Sequence, residues 1–332
     1  MPSHPGSENP GAETAAVVDL TAAIIAVSNE EPRILTVGEA GRNGGDGLDS
    51  LPSGPLEPGD RTLEAGLRRW VERQTGQTLG YVEQLYTFGD RNRALTGPAG
   101  PRVLSIGYLA LVREARPAQA EAAWKGWYRY LPWEDWRDGR PEVLDRLQPA
   151  LVEWAGRAPT KDDIRLRENR LGLTFGLHGG SWNDERVLER YELLYEAGLV
   201  PEAHRDGAAA PPECAGAAVD TANPMTADHR RILATAIGRL RGKIKYRPVV
   251  FELMPPAFTL LQLQRTVEAL AGVRLHKPNF RRLVKRQGLV EETGETALET
   301  GGRPASLVRF RQEVTLERPA PGVRLPIVRR TG

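Results

Sequence analysis

The sequence predicts an α+β protein of two modules: a mixed β-sheet with helices packed on it, then a small, strongly basic module made mostly of helices. Three observations predict it. Residues 22–112 carry alternating and continuous apolar runs on either side of one amphipathic stretch, which is the order of strands around a helix. Residues 225–312 hold 17 Lys/Arg against 7 Asp/Glu, while residues 1–224 hold 24 against 34, so the two parts have opposite net charges of +10 and −10. Such an asymmetry is a footprint of nucleic-acid binding, and equally of a well-solvated basic face. An Ala/Pro/Gly-rich stretch at 202–224 separates the parts and reads as a linker.

Composition narrows the class. A chain of 332 residues, 40% hydrophobic and 27% charged, has room for two ordinary globular domains. No apolar run approaches the roughly 20 residues that a membrane span requires, so a membrane role is not expected. Residues 1–20 lack the basic-then-apolar order of a secretion signal and read as a disordered lead. With Cys214 as the sole cysteine, neither a disulfide framework nor a cysteine zinc site can form within one chain. The expected location is the cytoplasm.

Along the chain, Ile24, Ile25, Val27, Ile34, Leu35 and Val37 flank the turn-like Asn29-Glu30-Glu31-Pro32 and predict a hairpin over 22–37. A Gly/Asp-rich loop follows. Leu63, Leu67, Trp70 and Val71 share one face of a helix over 62–74, which Gly76 can end. Strands are expected at 79–88 and 103–112. From about 117 to 200 an insertion rich in tryptophan (Trp124, Trp127, Trp133, Trp136, Trp154, Trp182) reads as helices packed on the sheet. It includes a helix over 184–197 with Asn183 as its cap. The basic module predicts a helix over 226–243, a short strand at 248–253, a helix capped by Thr259 through 270, a helix from 277 to 286 closed by Gly288, and a hairpin reaching Phe310. That order is a winged helix-turn-helix. Residues 313–332 are left as a tail. His229 and His276 stand alone, without partners at metal-ligand spacing, and no metal site is expected.

Two stretches carry a family resemblance. Gly54, Asp60, Arg69, Val71 and Gly76 fall in register with the Nudix box, given one extra residue between Asp60 and Arg69. The resemblance implies a Nudix-like α/β/α sandwich for 21–200. Nudix hydrolases hold Mg²⁺ on helix carboxylates, but the three carboxylate positions here are Trp70, Arg73 and Gln74. Glu72 is one position off, and a step of one residue turns a helical side chain by about 100°. No catalytic residue is therefore assigned. The strands 81–91 and 103–112 resemble those of ADP-ribose-binding Nudix proteins. On that basis Tyr86 and Phe88 are candidates to stack on a base, and Arg91 and Arg102 to meet a phosphate, although aromatics on a central strand are more often core.

The second stretch is similar to the winged helix of the Nudix-related transcriptional regulators of NAD metabolism, nearest to the branch described as regulating NAD in Fe–S cofactor synthesis. It rests on Ala227-Asp-His-Arg-Arg-Ile-Leu, on Lys277-Pro-Asn-Phe-Arg-Arg and on Gly302-Arg-Pro-Ala. Phe280, Leu283 and Val284 form an inward stripe, which leaves Lys277, Asn279, Arg281, Arg282, Lys285 and Arg286 to face DNA, with Arg303 on the wing. The expected function is a transcriptional repressor that binds a palindromic double-stranded operator as a homodimer. It would require no cofactor and take ADP-ribose or a related nucleotide as effector. The alternative is an active Nudix hydrolase of nucleotide diphosphates with a basic tail.

Overall fold

The computed structural model describes residues 16–38, 47–90, 101–207, 222–297, 304–317 and 322–323. β1 (Val17–Ser28) turns back into β2 (Glu31–Gly38). Asn29 and Glu30 both have positive φ, 53° and 62°, as in the two-residue turn whose twist suits paired strands. The predicted hairpin is present, and β1 starts inside the stretch expected to be a disordered lead. β3 (Asp49–Ser50), β4 (Ser53–Pro55), β5 (Tyr81–Phe88), β6 (Val103–Leu111) and β7 (Ala122–Gly126) complete one seven-stranded sheet. Its order is β3-β2-β1-β6-β5, with β4 against β1 and β7 against β2. The β1–β6 pair is parallel and the other pairs are antiparallel, so the sheet is mixed as predicted.

Alternation along β1 supplies both faces. Leu20, Ala22, Ile24 and Ala26 pack with Leu67 and Val71 of α1 (Leu63–Thr75), whose first turn is capped by the Thr62 hydroxyl accepting from the Ala65 amide. Ala23 and Ile25 face the other way, into a core that also holds Trp127, Trp133 and Ile232. Helices α2 (Leu144–Gly156), α3 (Lys161–Phe175), α4 (Val187–Glu196), α5 (Pro201–Arg205) and α6 (His229–Ile244) each contribute to that core. Of these, α6 packs directly on β1, β5, β6 and α4. The basic module continues with α7 (Leu260–Ala271), α8 (Lys277–Gln287), β8 (Val290–Ala297), β9 (Ala305–Phe310) and the short α9 (Val314–Glu317). Paired backbone bonds between Phe258 and Val308, at 2.9 and 2.8 Å, fasten the wing to the entry of α7.

Several expectations need correction. The insertion is not all helical, because β7 adds to the edge of the sheet along β2. α4 begins at Val187, later than expected; the Asn183 side-chain Oδ1 accepts from the Glu185 amide at 2.9 Å and forms a turn ahead of the helix instead of capping it. Residues 249–253 form a 3-10 turn, not a strand. Val249, Val250 and Leu253 are all buried, a spacing that a strand would split between two faces. The expected linker opens with α5, where Glu202 and Ala203 are buried; residues 208–221, with Cys214, lie outside the described residues. The expected tail is also anchored. Val314 and Val323 are fully buried, and the Val323 amide donates to the last-turn carbonyl of Ile244 at 2.8 Å.

One buried ion cluster joins insertion and basic module. Glu134, between Trp133 and Trp136, accepts from Arg190 of α4 at 2.6 and 3.0 Å and from Arg241 of α6 at 2.5 Å, and all three side chains are fully buried. Arg241 also donates to the Leu270 carbonyl at the end of α7 at 3.0 Å, and the Tyr128 hydroxyl donates to Ala269 at 2.7 Å. Burial pushes the Glu134 carboxyl up, and the two guanidiniums more than offset this and hold it below the usual carboxylate range. Approach is so close that Gly272, which ends α7 at φ 67°, has room for no side chain: a Cβ would sit 2.4 Å from the Glu134 carbonyl oxygen.

Candidate nucleic-acid interface and effector region

α8 starts with Pro278 in its first turn and ends at Gly288 in the left-handed region. Phe280 and Val284 are buried, and Leu283 is half-buried. These three fix the helix on α7, with about 2 kcal/mol expected from burying Phe280 alone. The opposite face is free. Lys277, Asn279, Arg281, Arg282, Lys285 and Arg286 are all exposed, and Arg282 donates to the Asn279 side chain at 2.9 Å. No carboxylate interrupts the helix. Five cations on one protruding helix form a surface suited to the phosphates and base edges of a major groove. The wing differs in sign. Glu292 and Glu295 of β8 are exposed, while Arg309 of β9 is taken by Glu291 at 2.6 Å. Arg303 lies outside the described residues.

On the other face of the sheet, the residues that resemble the Nudix box lie on α1 and the segment before it. Arg69 binds both oxygens of Asp60, at 3.0 and 2.8 Å, and Glu57 at 2.8 Å. This pair holds the Asp60 carboxyl below its ordinary range. Trp70, Arg73 and Gln74, which the resemblance sets at carboxylate positions, are engaged otherwise. The Trp70 indole lies on Gly54, where a Cβ would come within 2.3 Å of the ring, and its Nε1 donates to the Pro55 carbonyl at 2.8 Å. Gln74 uses both ends of its amide on the Ser53 backbone, at 3.0 and 2.8 Å. Arg73 lies 4.7 Å over the Trp70 ring. This set does not fit a magnesium ion: it offers an indole, a cation and an amide already bonded at both ends.

Of the four candidate ligand residues, Tyr86, Phe88 and Arg102 are described, and they lie together at the end of β5. Tyr86 is 61% exposed and can present its ring. Phe88 is corrected to core: it is 2% exposed, with Arg231 5.1 Å over its ring and Tyr86 against its edge at 5.4 Å, so no face is open to a base. Arg102 is exposed and donates to the Gly89 carbonyl at 3.0 Å. Arg91 lies outside the described residues. The sequence reading missed Asp19 and Arg231. Asp19 shares a row across the sheet with Pro55, Ser105 and Phe88. Burial pushes its carboxyl up to about 6, only partly offset by the Thr21 hydroxyl bond of 3.1 Å. An aspartate in the otherwise apolar run Val-Val-Asp-Leu-Thr-Ala-Ala-Ile-Ile was the signal. Arg231, bonded to Asp90 and to Glu192 at 2.5 Å, sits in a helix rich in arginine and had none.

His229 is neutral and structural. Its Nδ1 accepts from the Leu51 amide at 2.9 Å, and burial drives its pKa down to about 4. Among the described residues no group of three His, Cys, Asp or Glu could hold a metal ion, and no helix is long and apolar enough to cross a membrane.

Comparison with known proteins bears on the basic module first. Residues 250–310 match the NrtR DNA-binding winged helix domain. This NrtR-type segment runs from the 3-10 turn through α8 to the end of β9. The ADPR responsive transcriptional repressor NtrR of Acinetobacter baylyi is 43% identical over 83 residues, which are 25% of this chain and 33% of that protein. The matched part is thus about a third of that relative's length. Two solved structures share the overall fold. One is the Shewanella oneidensis NrtR complexed with a 27mer DNA, at TM-score 0.53 and 19% identity, covering 90% of this chain and 95% of that one. The other is a MutT/nudix family protein from Enterococcus faecalis, at TM-score 0.52 and 15% identity, covering 92% and 90%. A Nudix-like sandwich followed by an NrtR-type winged helix is therefore the architecture of this chain.

Proposed function

We propose that the chain is a DNA-binding transcriptional repressor whose Nudix-like module senses ADP-ribose or a related nucleotide. The observation that carries the reading is the exposed, carboxylate-free cationic face of α8 within a segment matched by the NrtR winged helix. The name of the Acinetobacter relative supports the sign of regulation and the effector. A single winged helix spans few base pairs, so two copies on a palindromic operator in the cytoplasm, at the nucleoid, complete the proposal. Trp70, Arg73 and Gln74, each engaged in packing or backbone bonds, support a sensor that leaves its ligand intact.

The test combines a gel shift on the DNA upstream of the protein's own gene with chromatography of ADP-ribose incubated with protein and Mg²⁺. Sequence-dependent, salt-sensitive retardation that ADP-ribose relieves, with ADP-ribose recovered unchanged, is expected. Rapid hydrolysis, or no retardation at low ionic strength, overturns the proposal.

A further inference from the structure

A cleft of about 1140 Å³ opens between the edge of the sheet and the base of the wing. Arg113, just past β6, and Arg247, just past α6, both line it, and both are exposed. Neither side chain has a hydrogen bond or ion pair among the described residues. Lys243 differs, since Glu83 and the Tyr81 hydroxyl already hold its ammonium. Phe251 and Phe310 stack at 4.3 Å and 21°, half-buried in the same cleft, and give it an apolar aromatic wall. Two exposed carboxylates, Glu252 and Glu313, complete the lining relevant here.

Each group selects for one part of a ligand. Two guanidiniums without counter-charges suit a phosphoryl group, which accepts paired N–H bonds from arginine. The aromatic wall suits a flat ring. Carboxylates accept from hydroxyl or amino donors and contribute nothing to a bare anion. We propose that this cleft binds a nucleoside monophosphate, with phosphate on Arg113 and Arg247, the base against Phe251 and Phe310, and ribose hydroxyls on Glu252 and Glu313. The proposal stands apart from effector binding by the Nudix-like module and from DNA binding by α8. Its occupant would touch the sheet through Arg113 and the winged helix through Phe310, and so tie the two together.

Calorimetric titration of the full chain with AMP, adenosine and inorganic phosphate tests it. Saturable AMP binding is expected, with adenosine and phosphate each weaker by about tenfold or more, since each lacks one of the recognised parts. Arg113→Ala/Arg247→Ala should weaken AMP by at least about tenfold and leave the melting temperature unchanged; the double lysine variant should recover part of the loss. Arg282→Ala/Arg286→Ala on α8 should bind AMP like the parent. Absence of AMP binding, equal binding of phosphate alone, or an Arg113/Arg247 double variant that binds normally overturns the proposal, whatever the outcome for DNA.

Discussion

Glu134→Ala is the most informative perturbation of the fold. The substitution removes a carboxylate shared by two fully buried guanidiniums, and with it bonds of 2.6, 3.0 and 2.5 Å. Arg190 would keep backbone acceptors at Thr174 and Asn183, and Arg241 would keep Leu270, so neither is left wholly without partners. Their charges would nonetheless stay buried without the carboxylate bonded to them. Breaking such a pair costs roughly 3–5 kcal/mol. At about 2 °C per kcal/mol for a chain of this size, the midpoint of thermal unfolding should fall by roughly 6–10 °C. Glu134→Gln should fall nearly as far, because the amide keeps one acceptor oxygen, turns an NH2 donor on an arginine donor and restores no charge. Replacing Glu134, Arg190 and Arg241 together by methionine should recover much of the loss. A fall below about 2 °C for Glu134→Ala would show that the cluster is not the joint between insertion and basic module.

Three further outcomes follow from the charges around the sheet and wing. Asp19 has a folded pKa of about 6, above its unfolded value of 3.8, so burying its charge costs stability that is absent below pH 4 and fully felt above pH 6. Asp19→Asn should therefore raise the unfolding midpoint at pH 7.5, by an amount equivalent to at most about 3 kcal/mol, and leave it unchanged at pH 4; an equal effect at both would contradict the assignment. His229 behaves oppositely to a stabilising cation: its folded pKa of about 4 lies below 6.5, so stability should be lost as pH falls from 6.5 towards 4, and His229→Gln should flatten that part of a pH-stability profile. Glu292→Lys/Glu295→Lys on the wing should tighten non-specific DNA binding at low salt by removing repulsion from phosphates; unchanged affinity in a filter-binding assay would place the wing away from the duplex.

What the sequence made legible was local. The Asn29-Glu30 turn, the Thr259 cap and the glycines after α1 and α8 act within a few residues of their own position, and each falls where it was expected. The polarity of α8 was equally readable, because three apolar residues at helical spacing leave only one face for five cations. Short apolar runs were ambiguous. Val249, Val250 and Leu253 serve a 3-10 turn as well as a strand, and only burial on one side decides. Long-range chemistry was hidden: Glu134 meets partners 56 and 107 residues away, and no pattern along the chain pairs them. Phe88 was misassigned for a related reason, since the guanidinium covering its ring comes from Arg231, on a helix assigned to the other module.

The most direct measurement of the central claim is the affinity of the full chain for its upstream DNA as a function of salt, for the parent protein and for Arg282→Ala/Arg286→Ala. If α8 enters the duplex with these side chains on phosphates, the double variant should bind more weakly, and the slope of log affinity against log salt should shrink by about 1.8. An unchanged slope and affinity would mean that the cationic face of α8 does not meet DNA.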